Sequence, residues 1–221
     1  MSRLVVKVGG RVAEGSAAHV LEFSSSGHQV CVVHGAGPQI SLEMERAGIP
    51  VQFVDGRRVT TAEGLEVVRR SFLAVNDELC AAIGERAAGL TGDEAGLQVQ
   101  AVPELGLVGE AQPAPLPVVE RLLEVEKIPV IAPVTARFNV NADSAAAAIA
   151  SGLGADILLF LTDVDGLILG GEVVEQIDLD SAEELMASGT LEGGIIPKLG
   201  AAIAAARAGV PAFIGRTEVP V

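Results

Sequence analysis

The chain has 221 residues, a formal net charge of −14, 49% hydrophobic residues and 3% aromatic ones, with no Trp or Tyr. That length allows one substantial core or two closely joined lobes, and the apolar fraction argues against disorder. The acidic balance and the missing aromatic platform argue against a nucleic-acid binder, although a local cluster of lysines and backbone N–H groups can still take an anion.

In chain order, residues 4–8 (LVVKV) read as a buried strand and 17–25 as a short helix. Residues 29–35 (QVCVVHG) read as a second strand that breaks into HGAGPQ. Residues 40–48 have helical spacing and a glycine stop, with Pro38 near the start, where a missing N–H is tolerated. A longer helical region begins near Thr60 or Thr61 and runs towards residue 89, with Gly64 and Gly84 as weak points. Residues 98–102 suggest a strand, and PELGLVGEA a turn-rich or hairpin segment. A helix over PLPVVERLLEVEKI precedes the strand at 129–134, and residues 141–154 are strongly helix-like. ADILLFLTD is a further apolar strand, DSAEELMASG and PKLGAAIAAARAG are helices, and 210–215 is a final strand. Strands separated by helices of these lengths imply βα units and a mostly parallel sheet.

Cys31 and Cys80 are far apart and form no CxxC pair, which suits a reducing compartment. No secretory h-region or cleavage site opens the chain, and the apolar run from Ala155 to Leu169 is broken by acids and too short to span a bilayer. The expectation is a cytoplasmic protein with no membrane partner.

Several polar or glycine-rich groups follow the strands, where ligands gather in open α/β sheets. Lys7 either snorkels from a strand end or sets a positive charge beside a transferring phosphate, with Gly9 and Gly10 letting anionic oxygens approach main-chain N–H groups. The segment is not a Walker A loop, because the lysine comes first. His34-Gly35-Ala36-Gly37-Pro38 is either a tight turn with a packed histidine or an anion nest at a helix start. Arg57 and Arg58 either face solvent or offer a guanidinium fork to a carboxylate. Asn139, Asn141 and Asp143 suit helix capping, and also suit a substrate carboxylate and the ordering of lysines. Thr162, Asp163, Asp165 and Gly166 form a turn able to approach nucleotide, although an acidic pair alone does not establish Mg²⁺ binding. Lys198 follows Gly193-Gly194, so that a second lysine can meet a phosphate at a helix start.

In order along the chain, VKVGG, HGAGPQ, GRRVT, ELGLVGE, IPVIAP, NVNAD, LTDVDG and GGIIPKLG resemble the amino acid kinase family, most closely its acetylglutamate-phosphorylating branch. The resemblance implies a three-layer αβα sandwich with an open, mostly parallel central sheet. It implies a single domain with an acyl-substrate lobe of about residues 1–138 and a nucleotide lobe of about 139–221. It implies transfer of the ATP γ-phosphoryl group to the side-chain carboxylate of N-acetyl-L-glutamate in arginine biosynthesis. By this resemblance Lys7 and Lys198 neutralise the transferring group and Asp143 orders them. Gly10, Ala36 and Gly37 contribute near the phosphoryl and acyl site, and Arg58 and Asn139 hold the acetylglutamate. Gly9, Thr162, Asp163, Gly166 and Lys198 face the nucleotide. Mg²⁺ is implied as the ATP counterion without a protein ligand.

Departures bear on substrate. Ala36 stands where the family's turn is HGGGP-like and adds a methyl near the acyl group, Asp93 stands where relatives often carry a basic residue, and the connection before NVNAD is short. The N-terminal helical extension of arginine-inhibited hexameric relatives is missing, which predicts a homodimer. Two alternatives remain at this level. One is a kinase acting on carrier-linked aminoadipate or glutamate in lysine biosynthesis, for which −14 is an awkward charge beside an acidic carrier. The other is a catalytically weak metabolite-binding homologue.

Overall fold

A computed structural model of the protein describes residues 1–9, 13–162 and 165–221. The first half runs β1 (Arg3–Val8), α1 (Ala13–Ser25), β2 (Gln29–His34), α2 (Gly37–Arg46), β3 (Phe53–Val54), β4 (Arg57–Arg58), α3 (Ala62–Ile83), β5 (Ala87–Thr91) and α4 (Gly92–Ala95). Then come β6 (Gln98–Ala101), β7 (Val108–Gln112), α5 (Pro117–Glu124), β8 (Ile128–Ala132), β9 (Asn139–Val140), α6 (Ala142–Gly152) and β10 (Ile157–Leu161). The chain closes with β11 (Ile168–Leu169), β12 (Glu172–Val173), α7 (Leu179–Ala187), α8 (Ile195–Arg207), β13 (Ala212–Ile214) and β14 (Thr217–Val219).

Among the described residues the central sheet has seven strands in the order β14-β13-β10-β1-β2-β8-β5. All its pairs are parallel except β13 with β14. The apolar runs of β1, β2 and β8 are buried on both faces, as a sheet covered by helices requires. Leu4, Val6, Val8, Val30, Val32 and Val130 pack on α1 and α3 through Ala17, Val20, Leu79 and Ile83. Val5, Cys31, Val33 and Ile131 face the opposite way, into the alanine-rich sides of α6 and α8 and the leucines of α5. Each fully buried valine contributes about 1.5–3 kcal/mol. The expected αβα sandwich is therefore present. A one-residue slip would turn every side chain of β1 to the wrong layer, and Lys7, with the parity of Val5, faces α6.

Several boundaries differ from the sequence expectation. The helical region begun at Thr61 stops at Ile83, and Ala87–Thr91 pairs with β8 as an edge strand. Its alanines carry no strand preference, so tertiary pairing overrides composition there. Residues 98–101 lie outside the central sheet, in a small sheet ordered β6-β7-β9. The strand at 212–214 is not the last, because Arg216-centred residues turn the chain into β14, registered Ala212↔Val219. The helices near the N-terminus begin earlier than read, at Ala13 and Gly37.

Candidate active site

The carboxyl ends of β1 and β10 open into a cleft of about 450 Å³, and the same cleft is lined by the starts of α2, α6 and α8. Lys7 and Lys198, from opposite ends of the polypeptide, both line it. Among the described residues its charged lining is Lys7, Arg57, Arg58 and Lys198 against Asp143, a locally cationic set in an acidic protein.

Lys7 is 5% exposed, and its Nζ lies 2.8 Å from Asp143 Oδ1. Among the described residues Asp143 Oδ1 has no aligned hydrogen-bond donor, so this short contact is an ion pair held by charge more than by bond direction. Asn141 sets up the aspartate locally. Its Oδ1 accepts from the N–H groups of Asp143 (2.9 Å) and Ser144 (3.1 Å), capping α6. Asp143 thus sits in the first helical turn, where the helix dipole favours a carboxylate by about 0.3–1 kcal/mol. Capping and site roles coexist in NVNAD.

Lys198 lies in the second turn of α8, and its Nζ donates to Gly194 O at 3.2 Å. Gly194 lines the cleft beside it, and Gly193 just before takes φ +67. Gly9 also lines the cleft, but its N–H donates to Leu161 O at 3.4 Å, continuing the ladder with β10. Its contribution is therefore room for a ligand more than a spare donor. Gly37 and Pro38 open α2, and Ala36 is its N-cap at φ −144. That backbone is open to any residue, so alanine in HGAGP costs no strain. Its methyl is 1% exposed, against the cleft wall.

Arg58 is 6% exposed. Its Nη2 donates to Gly37 O (3.1 Å) and Ser41 Oγ (2.7 Å), and its Cζ lies 4.6 Å from the Phe53 ring centroid. Burial lowers its pKa, yet a guanidinium remains charged near neutrality. It braces the start of α2 while lining the cleft. Arg57 goes another way, to Glu110 Oε2 at 2.7 Å. The two arginines sit on a hairpin whose two-residue turn, Asp55 (φ 48) and Gly56 (φ 74), has the left-handed conformation that the Asp-Gly pair favours. Asn139 lines the cleft and donates through Nδ2 to Thr60 Oγ1 at 3.0 Å.

Thr162 lines the cleft at the end of β10. Gly166 does not. It has φ +153, and a side chain there would meet Thr217 Oγ1 at 2.5 Å, so packing against β14 demands a glycine. Asp93 is occupied locally, accepting from Ala136 N–H at 2.6 Å. Gly10 and Asp163, both expected at the site, fall outside the described residues. Phe53 also lines the cleft, and no motif singled it out; Val108, inside ELGLVGE, lines it without having been given a role. The Asp-Gly turn was the one local signal that could have placed Phe53.

Among the described residues no helix is long and apolar enough to cross a membrane. The profile of the amino acid kinase family matches residues 2–216. The acetylglutamate kinase of Rubrobacter xylanophilus is 43% identical, over 97% of this chain and 88% of that protein. That of Geobacillus sp. is 39% identical, over 91% and 85%. Among solved structures, smu.665 from Streptococcus mutans superposes with a TM-score of 0.87 at 27% identity, covering 99% of this chain and 98% of that one. The carbamate kinase of Giardia lamblia bound to AMP-PNP gives a TM-score of 0.72 at 16% identity, over 96% and 90%, a likeness of fold alone.

Proposed function

The chain belongs to the amino acid kinase family, and from that premise we propose that it transfers the γ-phosphoryl group of ATP to the side-chain carboxylate of N-acetyl-L-glutamate. The product is N-acetyl-L-glutamyl 5-phosphate, a mixed anhydride of arginine biosynthesis. One observation carries the reading: Lys7, paired with Asp143, and Lys198 line a single cleft. Phosphoryl transfer asks the protein mainly for positioning and charge neutralisation, and two ammonium groups beside an anionic acceptor supply both. The acceptor carboxylate is already ionised near neutral pH, so it attacks in line without a strong general base.

In this reading Lys7 and Lys198 face the transferring oxygens, and Asp143 holds Lys7 in place. Arg58 offers its guanidinium charge to the substrate α-carboxylate, with Nη2 already donating to Gly37 O and Ser41 Oγ, Asn139 offers amide donors, and Ala36 and Gly37 offer main-chain N–H groups. Gly9 and Thr162 lie on the nucleotide side. The acyl part of the site belongs to the half before Asn139, and the nucleotide part to the half after it. Mg²⁺ arrives with the ATP phosphates. Among the described residues no group of three or more His, Cys, Asp or Glu side chains converges to hold a metal, and the amide and cationic lining suits phosphate oxygens. The same reading places the protein in the cytoplasm as a homodimer.

An ATP-dependent assay with hydroxylamine to trap the acyl phosphate tests it, with N-acetylglutamate, glutamate, aspartate and carrier-linked aminoadipate side by side. Hydroxamate is expected with N-acetylglutamate. Preference for the carrier-linked substrate, or no turnover by folded protein, overturns the reading.

A further inference from the structure

His34 ends β2 beneath the cleft and is fully buried, and the proposed chemistry gives it no direct part. Its surroundings nonetheless fix its hydrogens. Asn76, on α3, brings Nδ2 within 2.9 Å of Val130 O and 3.0 Å of His34 Nε2. A carbonyl only accepts, so the amide NH₂ must face Val130 O, and its second hydrogen then points at Nε2. The Cys80 thiol, 3.6 Å from Asn76 Oδ1, agrees with that orientation. Nε2 must therefore be a bare acceptor, and the ring proton must sit on Nδ1. Nδ1 lies 3.3 Å from Gly35 O, so it donates there. Burial pushes the histidine pKa down to about 4, against the partial opposing effect of that Gly35 bond, so the ring is neutral in ordinary buffers. The fold makes space for this arrangement: a side chain at Gly89 on β5 would collide with Asn76 Oδ1. Four elements, β2, α3, β5 and β8, thus converge on one imidazole.

The consequence lies one peptide further on. No described peptide is cis, and in a trans peptide C=O and N–H point in opposite directions. With the Gly35 carbonyl turned to the imidazole, the N–H of the same peptide, that of Ala36, is turned the other way. Ala36 lines the cleft. Its N–H has no acceptor among the described residues. We propose that His34, held in the Nδ1–H form by Asn76, is a positioning residue that locks the Gly35–Ala36 peptide with its N–H presented to the anionic ligand of the cleft. The inference rests on the phosphotransfer reading for which anion that N–H meets. It does not rest on it for the orientation itself. A flipped peptide would present a carbonyl oxygen to incoming negative charge, turning a donor into a repulsive dipole.

Two measurements test it. The first is the ¹H–¹⁵N long-range spectrum of imidazole nitrogens, in which the three histidines of the chain are separable by His34→Gln. At pH 7, His34 is expected as the neutral Nδ1–H tautomer in the parent, and not in Asn76→Leu. An Nε2–H tautomer in the parent overturns the proposal. The second is turnover. His34→Gln keeps an acceptor for Asn76 but loses the Nδ1 donor, and should lower kcat by about 10–100-fold with KM for ATP within about threefold. His34→Asn, whose amide nitrogen sits where Nδ1 did, should recover most of that loss. Equal kcat in His34→Gln and parent, or an equal loss in both variants with unchanged thermal unfolding, overturns it. A parent that shows the Nδ1–H tautomer yet no turnover with N-acetylglutamate upholds the peptide orientation and sinks only the substrate assignment.

Discussion

Replacing Asp143 by Ala strips the buried Lys7 ammonium of its counterion at 2.8 Å. Removing one member of a buried ion pair typically costs about 3–5 kcal/mol, because the remaining charge stays desolvated. Lys7 is 5% exposed but borders a cleft that admits water, so the lower end applies, about 3 kcal/mol. Loss of a carboxylate from the first turn of α6 adds about 0.5 kcal/mol. Urea unfolding followed by circular dichroism reads the sum. With an m-value of about 2 kcal/mol/M, the midpoint should fall by about 1.5–2 M. Lys7→Met combined with Asp143→Leu should be at least as stable as the parent, since two apolar side chains replace two desolvated charges. Both proteins with a changed pair should be catalytically crippled, so stability and activity part company in the double variant. A single-variant loss below about 1 kcal/mol, or a double variant no better than Asp143→Ala, would refute the account of the pair as a buried charge kept for function.

Lys198→Ala should lower kcat by about 100-fold or more while leaving the urea midpoint nearly unchanged, because the side chain is only half-buried at the cleft and its Nζ bond to Gly194 O lies at an exposed helix start. Equal kcat removes Lys198 from the phosphoryl site. Arg58→Ala should raise KM for N-acetylglutamate and also cost about 2 kcal/mol, since bonds to Gly37 O and Ser41 Oγ are lost with a packed stem; a pure KM effect without destabilisation contradicts the bracing role. The His34 pKa falls from 6.5 to about 4 on folding, so the unfolded chain binds the extra proton between those values. Stability should therefore drop by about 3 kcal/mol from pH 6.5 to 4 on this group's account, a slope absent from His34→Asn. Cys31 is fully buried and its thiol is pushed up to about 12 by desolvation, so alkylation at pH 8 should reach Cys80 first and Cys31 only on unfolding, as peptide mass mapping would show. Gly166→Ala should cost about 2 kcal/mol or more, from a strained φ and a clash with Thr217, read as a lower Tm. Light scattering with an arginine titration checks the proposed dimer, against which a stable arginine-inhibited hexamer would count.

The local sequence carried much of this. Apolar runs marked the central strands, and Thr61 and Asn141 marked helix starts, whereas the Asp-Gly hairpin that bears Arg57 and Arg58 went unread although its signal was there. The ordered motifs held most of the polar residues that line the cleft, because those sit at strand ends and helix starts, features written in neighbouring residues. Gly166 shows the limit of such local signals: a glycine after a strand looks the same whether it makes room for nucleotide or for Thr217, and its packing against Thr217 became visible only in the fold. The segment Ala87–Thr91 is a strand only because β8 offers it an edge. The pairing of Lys7 with Asp143, the bracing of α2 by Arg58 and the chain from Asn76 through His34 to Gly35 were decided by the tertiary structure. Sequence periodicity fixes which way a side chain points from its own element. What it meets there depends on the order and register of strands far apart in the chain, and those are set by the packing of the whole core.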